Sequence, residues 1–166
     1  MEINTFGIVK ESIVDGIGIR YVIFTQGCPH KCDGCHNKES HEFVTKKMVN
    51  VDEILCDIKK NPLLKGVTFS GGEPFCQAKE LIYIAKKVKE MGKDIWCYSG
   101  YTYEELQKNP QPFSEELLDL VDVLVDGKFI LEQRDLTLKF KGSKNQRIID
   151  CEKTRKVHNI TLYNFE

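Results

Sequence analysis

Three cysteines fall within eight residues of the chain, in the stretch QGCPHKCDGCHN at residues 26–37. Three residues separate Cys28 from Cys32 and two separate Cys32 from Cys35, so a tightly folded loop can turn all three thiolates toward one iron–sulfur cluster. A 4Fe-4S cluster usually takes four cysteine ligands. The next cysteine in the chain, Cys56, lies in a predicted helix rather than in this loop. The spacing therefore predicts a cluster with one iron left open to bind a small molecule through oxygen and nitrogen atoms.

Two other interpretations of the three cysteines compete with a cluster. A structural zinc ion binds four ligands, and His36 or His41 would complete a set of three cysteines and one histidine. Alternatively the cysteines are buried without any metal, as free cysteines often are. Spacing motifs also arise by chance, so the three cysteines alone do not choose among these interpretations.

Length and composition favour one cytoplasmic domain. The 166 residues are too few for a complete eight-fold β/α barrel of about 250 residues. The 24 basic and 25 acidic side chains give a formal charge of −1, which favours neither nucleic acid nor an anionic membrane as a partner. No apolar run approaches the roughly 20 residues of a membrane helix, and the N-terminus lacks the pattern of a signal peptide. Because thiols stay reduced in the cytosol, we expect burial rather than disulfides for the four scattered cysteines, Cys56, Cys76, Cys97 and Cys151.

Strand and helix patterns alternate along the chain. Apolar runs predict strands at residues 20–25, 67–70, 95–98 and 123–125, and helical spacing or capping residues predict helices between them, at residues 51–58 and 81–88 and from Thr102 and Ser114. This alternation is typical of a parallel sheet with crossover helices, in which ligands lie beyond the carboxyl ends of the strands. We therefore expect one rim to be lined by the cysteine loop and by residues 71–74, 99–100 and 126–127.

The turn after the second of these strands reads Gly71-Gly72-Glu73-Pro74. Two glycines let the backbone approach a ligand closely and adopt positive φ, where side chains would interfere. An ordinary strand-to-helix turn explains this sequence equally well by itself. Next to a three-cysteine loop, it predicts a ligand-binding edge.

Together, the Cys28-x3-Cys32-x2-Cys35 spacing and the Gly-Gly-Glu-Pro turn resemble the radical S-adenosylmethionine (SAM) superfamily. Within it, the chain is most similar to the family that activates anaerobic ribonucleoside-triphosphate reductases. The stretches that carry this closer resemblance are Asp15-Gly16, FTQGC at 24–28, Cys35-His-Asn37, DIWCYSGY at 94–101, DVLVDGKF at 122–129, Arg134-Asp135 and KGSKNQRIID at 141–150. The resemblance reaches Asp150, and we expect residues 151–166 to form a variable C-terminal tail of the single domain, residues 1–166.

The resemblance implies a compact partial, open β/α barrel with a mostly parallel sheet. Cys28, Cys32 and Cys35 would bind three irons of a 4Fe-4S cluster, and the fourth iron would chelate the amine and carboxylate of SAM. The SAM site would be bordered by Gly34, Cys35, His36 and Gly72. The superfamily usually has an aromatic residue just before the third cysteine, and Gly34 removes that contact to the adenine ring.

The resemblance also implies a function. Reductive cleavage of SAM would give methionine and a 5′-deoxyadenosyl radical, which removes a hydrogen from a backbone glycine of the reductase large subunit. A reduced flavodoxin-like protein would donate the electron, and no catalytic residue beyond the cluster and SAM is implied. The alternatives are an activase for another glycyl-radical enzyme of the pyruvate formate-lyase type, a zinc-stabilised binding module and a simple electron-transfer protein.

Two charged features near the predicted rim have several interpretations. Asp126 and Lys128 would contact SAM or the partner, or form a solvated pair. Residues 128–156 hold nine basic and four acidic side chains, which suits a docking face for the reductase or an acidic electron donor. A charge run is also common on any soluble surface.

Overall fold

The computed structural model describes residues 1–35 and 38–165, and in this part of the chain seven strands form one sheet. The strands are β1 (Glu2–Ser12), β2 (Arg20–Thr25), β3 (Lys47–Asn50), β4 (Gly66–Gly71), β5 (Asp94–Tyr98), β6 (Val123–Asp126) and β7 (Arg147–Asp150). Their order across the sheet is β3-β1-β2-β4-β5-β6-β7. The central strands β2, β4, β5 and β6 are parallel, whereas β1, β3 and β7 pair antiparallel with their neighbours.

Four helices lie between the parallel strands: α1 (Val51–Lys60), α2 (Ala78–Glu90), α3 (Tyr103–Leu106) and α4 (Ser114–Leu118). A fifth, α5 (Cys151–Val157), follows β7, and short 3-10 turns lie at Lys38–Ser40, Pro74–Gln77 and Leu131–Gln133. Local sequence explains where they begin. The Asn50 side chain accepts a hydrogen bond from the Asp52 backbone at the start of α1, and Thr102 and Glu105 form a reciprocal capping box at the start of α3.

The two faces of the sheet are covered differently. On one face, apolar strand residues such as Phe69 and Ile95 belong to the main core together with helix residues such as Ile54 and Leu81. On the other face, a smaller cluster around Trp96 is covered by side chains from outside the helices, namely Ile17, Phe140 and Tyr163. Because the helices occupy one face only, the second face depends on loops for its cover.

The four predicted strands and the alternation with helices are confirmed. The expected mostly parallel sheet is a mixed sheet that is parallel only at its centre. Strands β1, β3 and β7 were not predicted, and α5 lies within the expected C-terminal tail. The closure of the sheet into an open barrel stays a prediction.

The scattered cysteines differ in exposure. Cys97 and Cys151 are buried as expected, and Cys76 is partly buried. The prediction for Cys56 was wrong, because this residue lies on the solvent side of the amphipathic helix α1 and is exposed. No helix in residues 1–35 and 38–165 is long and apolar enough to cross a membrane.

Candidate active site

A cavity of about 370 Å³ lies at the carboxyl ends of the parallel strands. This volume is in the range of pockets that hold small molecules, roughly 300–1,000 Å³. All three cysteines of the motif line it, together with Gly71, Gly72, Ser99, Gly100 and Gly127. The prediction that separate loops share one rim is therefore confirmed for these residues.

The cysteine loop is shaped by backbone turns and held from behind. Gly27, Lys31 and Gly34 all have positive φ, which lets the chain turn just before Cys28 and again between the cysteines. The Cys28 backbone N–H donates to the carbonyl of His41 at 3.0 Å, and the N–H of Gly27 donates to Ser40 at 2.6 Å. His36, which was predicted to border the SAM site, lies outside the described residues, whereas His41 lines the cavity.

Backbone N–H groups point at two of the sulfur atoms. Burial raises the pKa of the Cys28 thiol to about 11, and hydrogen bonds from the His30 and Lys31 backbones oppose this shift. Burial also raises the pKa of Cys32, against a hydrogen bond from the backbone of Phe129. Such bonds to sulfur are a feature of iron–sulfur sites, where they tune the reduction potential of the cluster.

The three thiols of the motif are suitable ligands for an iron–sulfur cluster. A cuboidal cluster has its irons at separate corners, so its ligands surround a body rather than meet at a point. Three thiols around one cavity, two of them with N–H partners, fit a 4Fe-4S cluster, and the ligation itself stays a prediction.

The Gly-Gly-Glu-Pro turn is joined directly to the cysteine loop. The Gly72 N–H donates to the Thr25 carbonyl at 2.9 Å, and the Glu73 N–H donates to the Gly27 carbonyl at 2.8 Å. A Cβ atom added to Gly72 would overlap the Gly27 carbonyl, and one added to Gly71 would overlap the Thr25 backbone. The two glycines are therefore required for the close approach of these two loops.

Sequence reasoning missed the role of the Glu73 side chain. This carboxylate is fully buried and accepts hydrogen bonds from the Ser99 hydroxyl at 2.8 Å, the Gly100 N–H at 2.8 Å and the Phe75 N–H at 3.1 Å. The Nε2 atom of His30 lies 2.7 Å from it, and the Tyr101 ring packs edge-on against the imidazole. Glu73 thus links the cysteine loop to the end of β5. The only sequence signal was an acid placed between two glycines and a proline, beside a histidine inside the cysteine motif.

Asp126 is buried beneath the rim and does not line the cavity. It accepts hydrogen bonds from the Tyr103 backbone at 2.8 Å and from the Arg147 guanidinium at 2.5 and 3.1 Å. Arg147 also pairs with Glu104, and these bonds raise the pKa of Arg147 and lower that of Glu104. The interpretation of Asp126 as half of a solvated pair with Lys128 was therefore wrong, because its partner is Arg147.

Residues 127–146 form part of the cavity wall, through Gly127, Phe129, Leu138, Phe140, Lys141, Gly142 and Gln146. Hydrogen bonds hold this segment in place. The Gln146 side chain donates to the Gly127 carbonyl and accepts from the Gly142 N–H, and the Asn145 side chain donates to the Lys128 carbonyl. Motifs in this segment carried the family resemblance, but their position in the cavity wall was not predicted.

Comparisons with known proteins agree with this site. A family model described as a 4Fe-4S single cluster domain matches residues 14–149. Anaerobic ribonucleoside-triphosphate reductase-activating proteins are similar over most of their length. The one from Vibrio cholerae is 39% identical over 147 residues, and the one from Haemophilus influenzae is 37% identical over 144 residues, each covering 82% of this chain and 90% of the relative. The Escherichia coli protein is 35% identical over 144 residues, covering 81% of this chain and 90% of the relative.

Among solved structures, QueE from Escherichia coli matches with a TM-score of 0.48 and 20% identity, over 61% of this chain and 54% of QueE. A similarity at this level supports no conclusion about fold or function.

Proposed function

This chain belongs to the family of anaerobic ribonucleoside-triphosphate reductase-activating proteins, and we propose that it activates such a reductase by generating a glycyl radical on the large subunit. The observation that carries this proposal is the shared cavity. Three cysteine thiols and the glycine turn, which sequence alone placed on different loops, line the same space at the carboxyl ends of the parallel strands.

We assign Cys28, Cys32 and Cys35 as ligands of a 4Fe-4S cluster whose fourth iron binds SAM. Gly34, Cys35, His36 and Gly72 border the SAM site in this assignment. When bound, the cluster and SAM would together supply the reductive cleavage of SAM to methionine and a 5′-deoxyadenosyl radical. We propose that the sheet forms the partial, open barrel of radical SAM enzymes. In this arrangement it curves so that the face covered by loops surrounds the cavity.

The chain's own residues hold and enclose this chemistry. Backbone amides on the sulfurs of Cys28 and Cys32 favour the thiolate over the thiol, because a donated hydrogen bond stabilises the charged form. Glu73 fixes the cysteine loop against the strand ends, and residues 127–146 exclude water from one side. No acid–base pair is needed for a radical step, so we propose no catalytic side chain beyond the cluster and SAM.

The partners follow from the same assignment. The reductase large subunit presents a backbone glycine to the cavity, and the basic stretch at 128–156 is its docking face. A reduced flavodoxin-like protein, which is acidic, is the proposed electron donor. The protein acts in the cytoplasm, and its formal charge of −1 gives no reason to invoke nucleic acid.

The test is an anaerobic assay with a matched cysteine control. The cluster is rebuilt with iron and sulfide and reduced, SAM is added, and 5′-deoxyadenosine is quantified for the wild type, Cys32→Ala and Cys56→Ala. We expect product from the wild type and from the exposed-site control Cys56→Ala, and none from Cys32→Ala. A colourless protein that retains zinc would contradict the assignment, and a brown protein that never cleaves SAM, with or without reductase, would indicate an electron carrier.

The identity of the partner needs a second measurement. The reduced, SAM-loaded protein is mixed with an anaerobic ribonucleoside-triphosphate reductase or with a pyruvate formate-lyase, and each mixture is examined by electron paramagnetic resonance. A doublet glycyl radical signal on the reductase alone supports the proposal. A signal on the lyase alone assigns the protein to the alternative activase class.

A further inference from the structure

The last residues of the chain return along the edge of the sheet. After helix α5, the Thr161 carbonyl accepts a hydrogen bond from the Asp150 N–H at 2.9 Å, and the Tyr163 N–H donates to the Ile148 carbonyl at 2.8 Å. The residues between these two bonds form an antiparallel bridge. The segment 161–163 therefore lies beside β7 in a fixed register, which sets the position from which the final residues continue.

This path brings Tyr163 and Phe165 into contact with rings on the loop-covered face of the sheet. The Tyr163 ring lies 5.7 Å from Trp96 and 5.0 Å from Phe165, measured between centroids. Phe140 packs edge-on against Trp96 at 5.4 Å and stacks on Phe165 at 6.0 Å. The Lys139 ammonium lies 5.6 Å from the Phe140 ring and 5.1 Å from the Phe165 ring, close enough for cation–π attraction to both. The four rings thus form a closed circuit.

Phe140 connects this circuit to the candidate active site. It lines the cavity together with the next two residues, Lys141 and Gly142. Its φ angle is 60°, in the left-handed region that residues with a Cβ atom rarely adopt. A backbone conformation of this kind persists only where surrounding contacts impose it. The contacts of the Phe140 ring with Trp96 and Phe165 therefore stabilise the turn that places residues 140–142 in the cavity wall.

We propose that Tyr163 and Phe165 are positioning residues for the SAM cavity, acting through Phe140. This inference rests on the proposed function, because it takes SAM as the ligand of the cavity. Both residues lie behind the wall rather than in it. The affinity for SAM falls with the fraction of the protein in which this wall is in place, so residues that hold the wall raise the affinity. The 4Fe-4S family model ends at residue 149, so the family match gives no role to either residue.

The experiment separates the affinity for SAM from the rate of its cleavage. The dissociation constant of SAM is determined by anaerobic equilibrium dialysis with the reconstituted, oxidised protein, and the rate of 5′-deoxyadenosine formation is measured after reduction at saturating SAM. The variants are Tyr163→Ala, Phe165→Ala, Phe165→Leu and Phe165→Tyr. Leu162→Ala is the matched control, because Leu162 belongs to the same segment and its side chain is exposed.

We expect loss of the Phe165 ring to weaken SAM binding without slowing cleavage. The dissociation constant should rise by about 2- to 12-fold in Phe165→Ala, the range for the loss of one aromatic pair, here the pair with Phe140. Leucine should recover little of this loss, whereas tyrosine keeps the ring and should restore the wild-type affinity. The rate at saturating SAM and the iron content should match the wild type, and Leu162→Ala should match it in every measurement.

Two further measurements test the route through Phe140. In a Phe140→Leu background, Phe165→Ala should change the dissociation constant less than in the wild-type background, because residues that act through one contact are not additive. Trp96 is the single tryptophan of the chain, so its fluorescence in the cluster-free protein reports on the ring circuit. Since Trp96 is 2% exposed, we expect Tyr163→Ala to shift its emission to longer wavelength and to increase its quenching by acrylamide.

Several results would overturn the inference. An unchanged dissociation constant in Tyr163→Ala and Phe165→Ala would do so and would leave the proposed function intact; lower stability in urea with that result would show that the tail supports the fold only. Equal effects of Phe165→Ala in both backgrounds would refute the route through Phe140. If Phe165→Ala does not fold, the comparison of leucine with tyrosine decides the question. A wild type that binds SAM but never cleaves it would refute the proposed function alone, and one that holds a full cluster but binds no SAM would refute both.

Discussion

Replacement of Glu73 by glutamine tests whether the buried carboxylate positions the cluster loop. One oxygen lies near the His30 imidazole and accepts the Gly100 N–H, and the other accepts the Phe75 N–H. A glutamine amide keeps one acceptor and turns the other into a donor. At least one buried N–H then loses its partner, which costs about 1–3 kcal/mol, and the remaining bonds lose their charge assistance.

We expect Glu73→Gln to lower the free energy of unfolding by about 2–4 kcal/mol, a large share of the 5–15 kcal/mol typical of a domain. Urea unfolding of the cluster-free protein measures this change. His30→Gln and the double variant complete a double-mutant cycle, which isolates the coupling between the two side chains. Glu104→Gln is the control, because that carboxylate is more than half exposed.

Stability alone does not establish a positioning role, so cluster and cofactor measurements are needed. We expect Glu73→Gln to retain less iron after reconstitution and to change the electron paramagnetic resonance spectrum of the reduced cluster, with a higher KM for SAM. If Glu73→Gln is destabilised but keeps the wild-type iron content, spectrum and KM, the carboxylate supports the fold only. If the cycle shows no coupling, the link through His30 is refuted.

Three further changes test other parts of the site. Gly72→Ala places a methyl group on a neighbouring carbonyl and should reduce iron retention after reconstitution, whereas Gly7→Ala, with nothing within 4 Å of the added atom, should retain it. Arg147→Met leaves a buried carboxylate unpaired and should cost about 3–5 kcal/mol in urea unfolding, against less than about 1 kcal/mol for Glu104→Gln. Because Arg147 lowers the pKa of Glu104, the small contribution of this pair to the free energy of unfolding is present at neutral pH and is lost as the pH falls through the lowered pKa. Equal losses of unfolding free energy in Arg147→Met and Glu104→Gln would contradict this account. Burial raises the pKa of Cys28 to about 11, so its thiol in chelator-treated protein should react slowly with iodoacetamide at pH 8 and faster toward pH 11. Mass spectrometry measures the extent of alkylation. A fast reaction at pH 8 would show that the thiol is not buried.

The central strands were predictable because their signal is local and strong. Strands β2, β4, β5 and β6 are short apolar runs buried on both faces. The edge strand β3, with the sequence KMVN, is mostly exposed and has no such run, so its pairing with β1 decides its structure. Strand β7 differs in that Ile148 and Ile149 are buried, but two apolar residues are too short a run to predict a strand, and β7 pairs antiparallel with β6.

The same distinction applies to the candidate site. The cysteine spacing and the glycine turn are each contained within a few residues, and their common rim follows from the rule that ligands bind beyond parallel strand ends. The contact between His30 and Glu73 joins residues 43 positions apart, and the hydrogen bond from Arg147 to Asp126 joins residues 21 apart. No periodicity or motif encodes such pairs, so an exposed charge was the natural expectation for Asp126.

The wall formed by residues 127–146 reflects the shortness of the parallel sheet. Four parallel strands end with β6, and β7 returns antiparallel beside it, so no further crossover helix covers that side of the cavity. An irregular segment between β6 and β7 takes this position instead. Backbone bonds such as that from the Asp135 N–H to the Gly142 carbonyl hold it, together with the side-chain bonds of Gln146. Substitutions in this segment should therefore change ligand affinity more than they change the stability of the sheet, because few of its residues belong to the main core. The opposite holds for the glycine turn, where backbone contacts connect the ligand edge directly to β2.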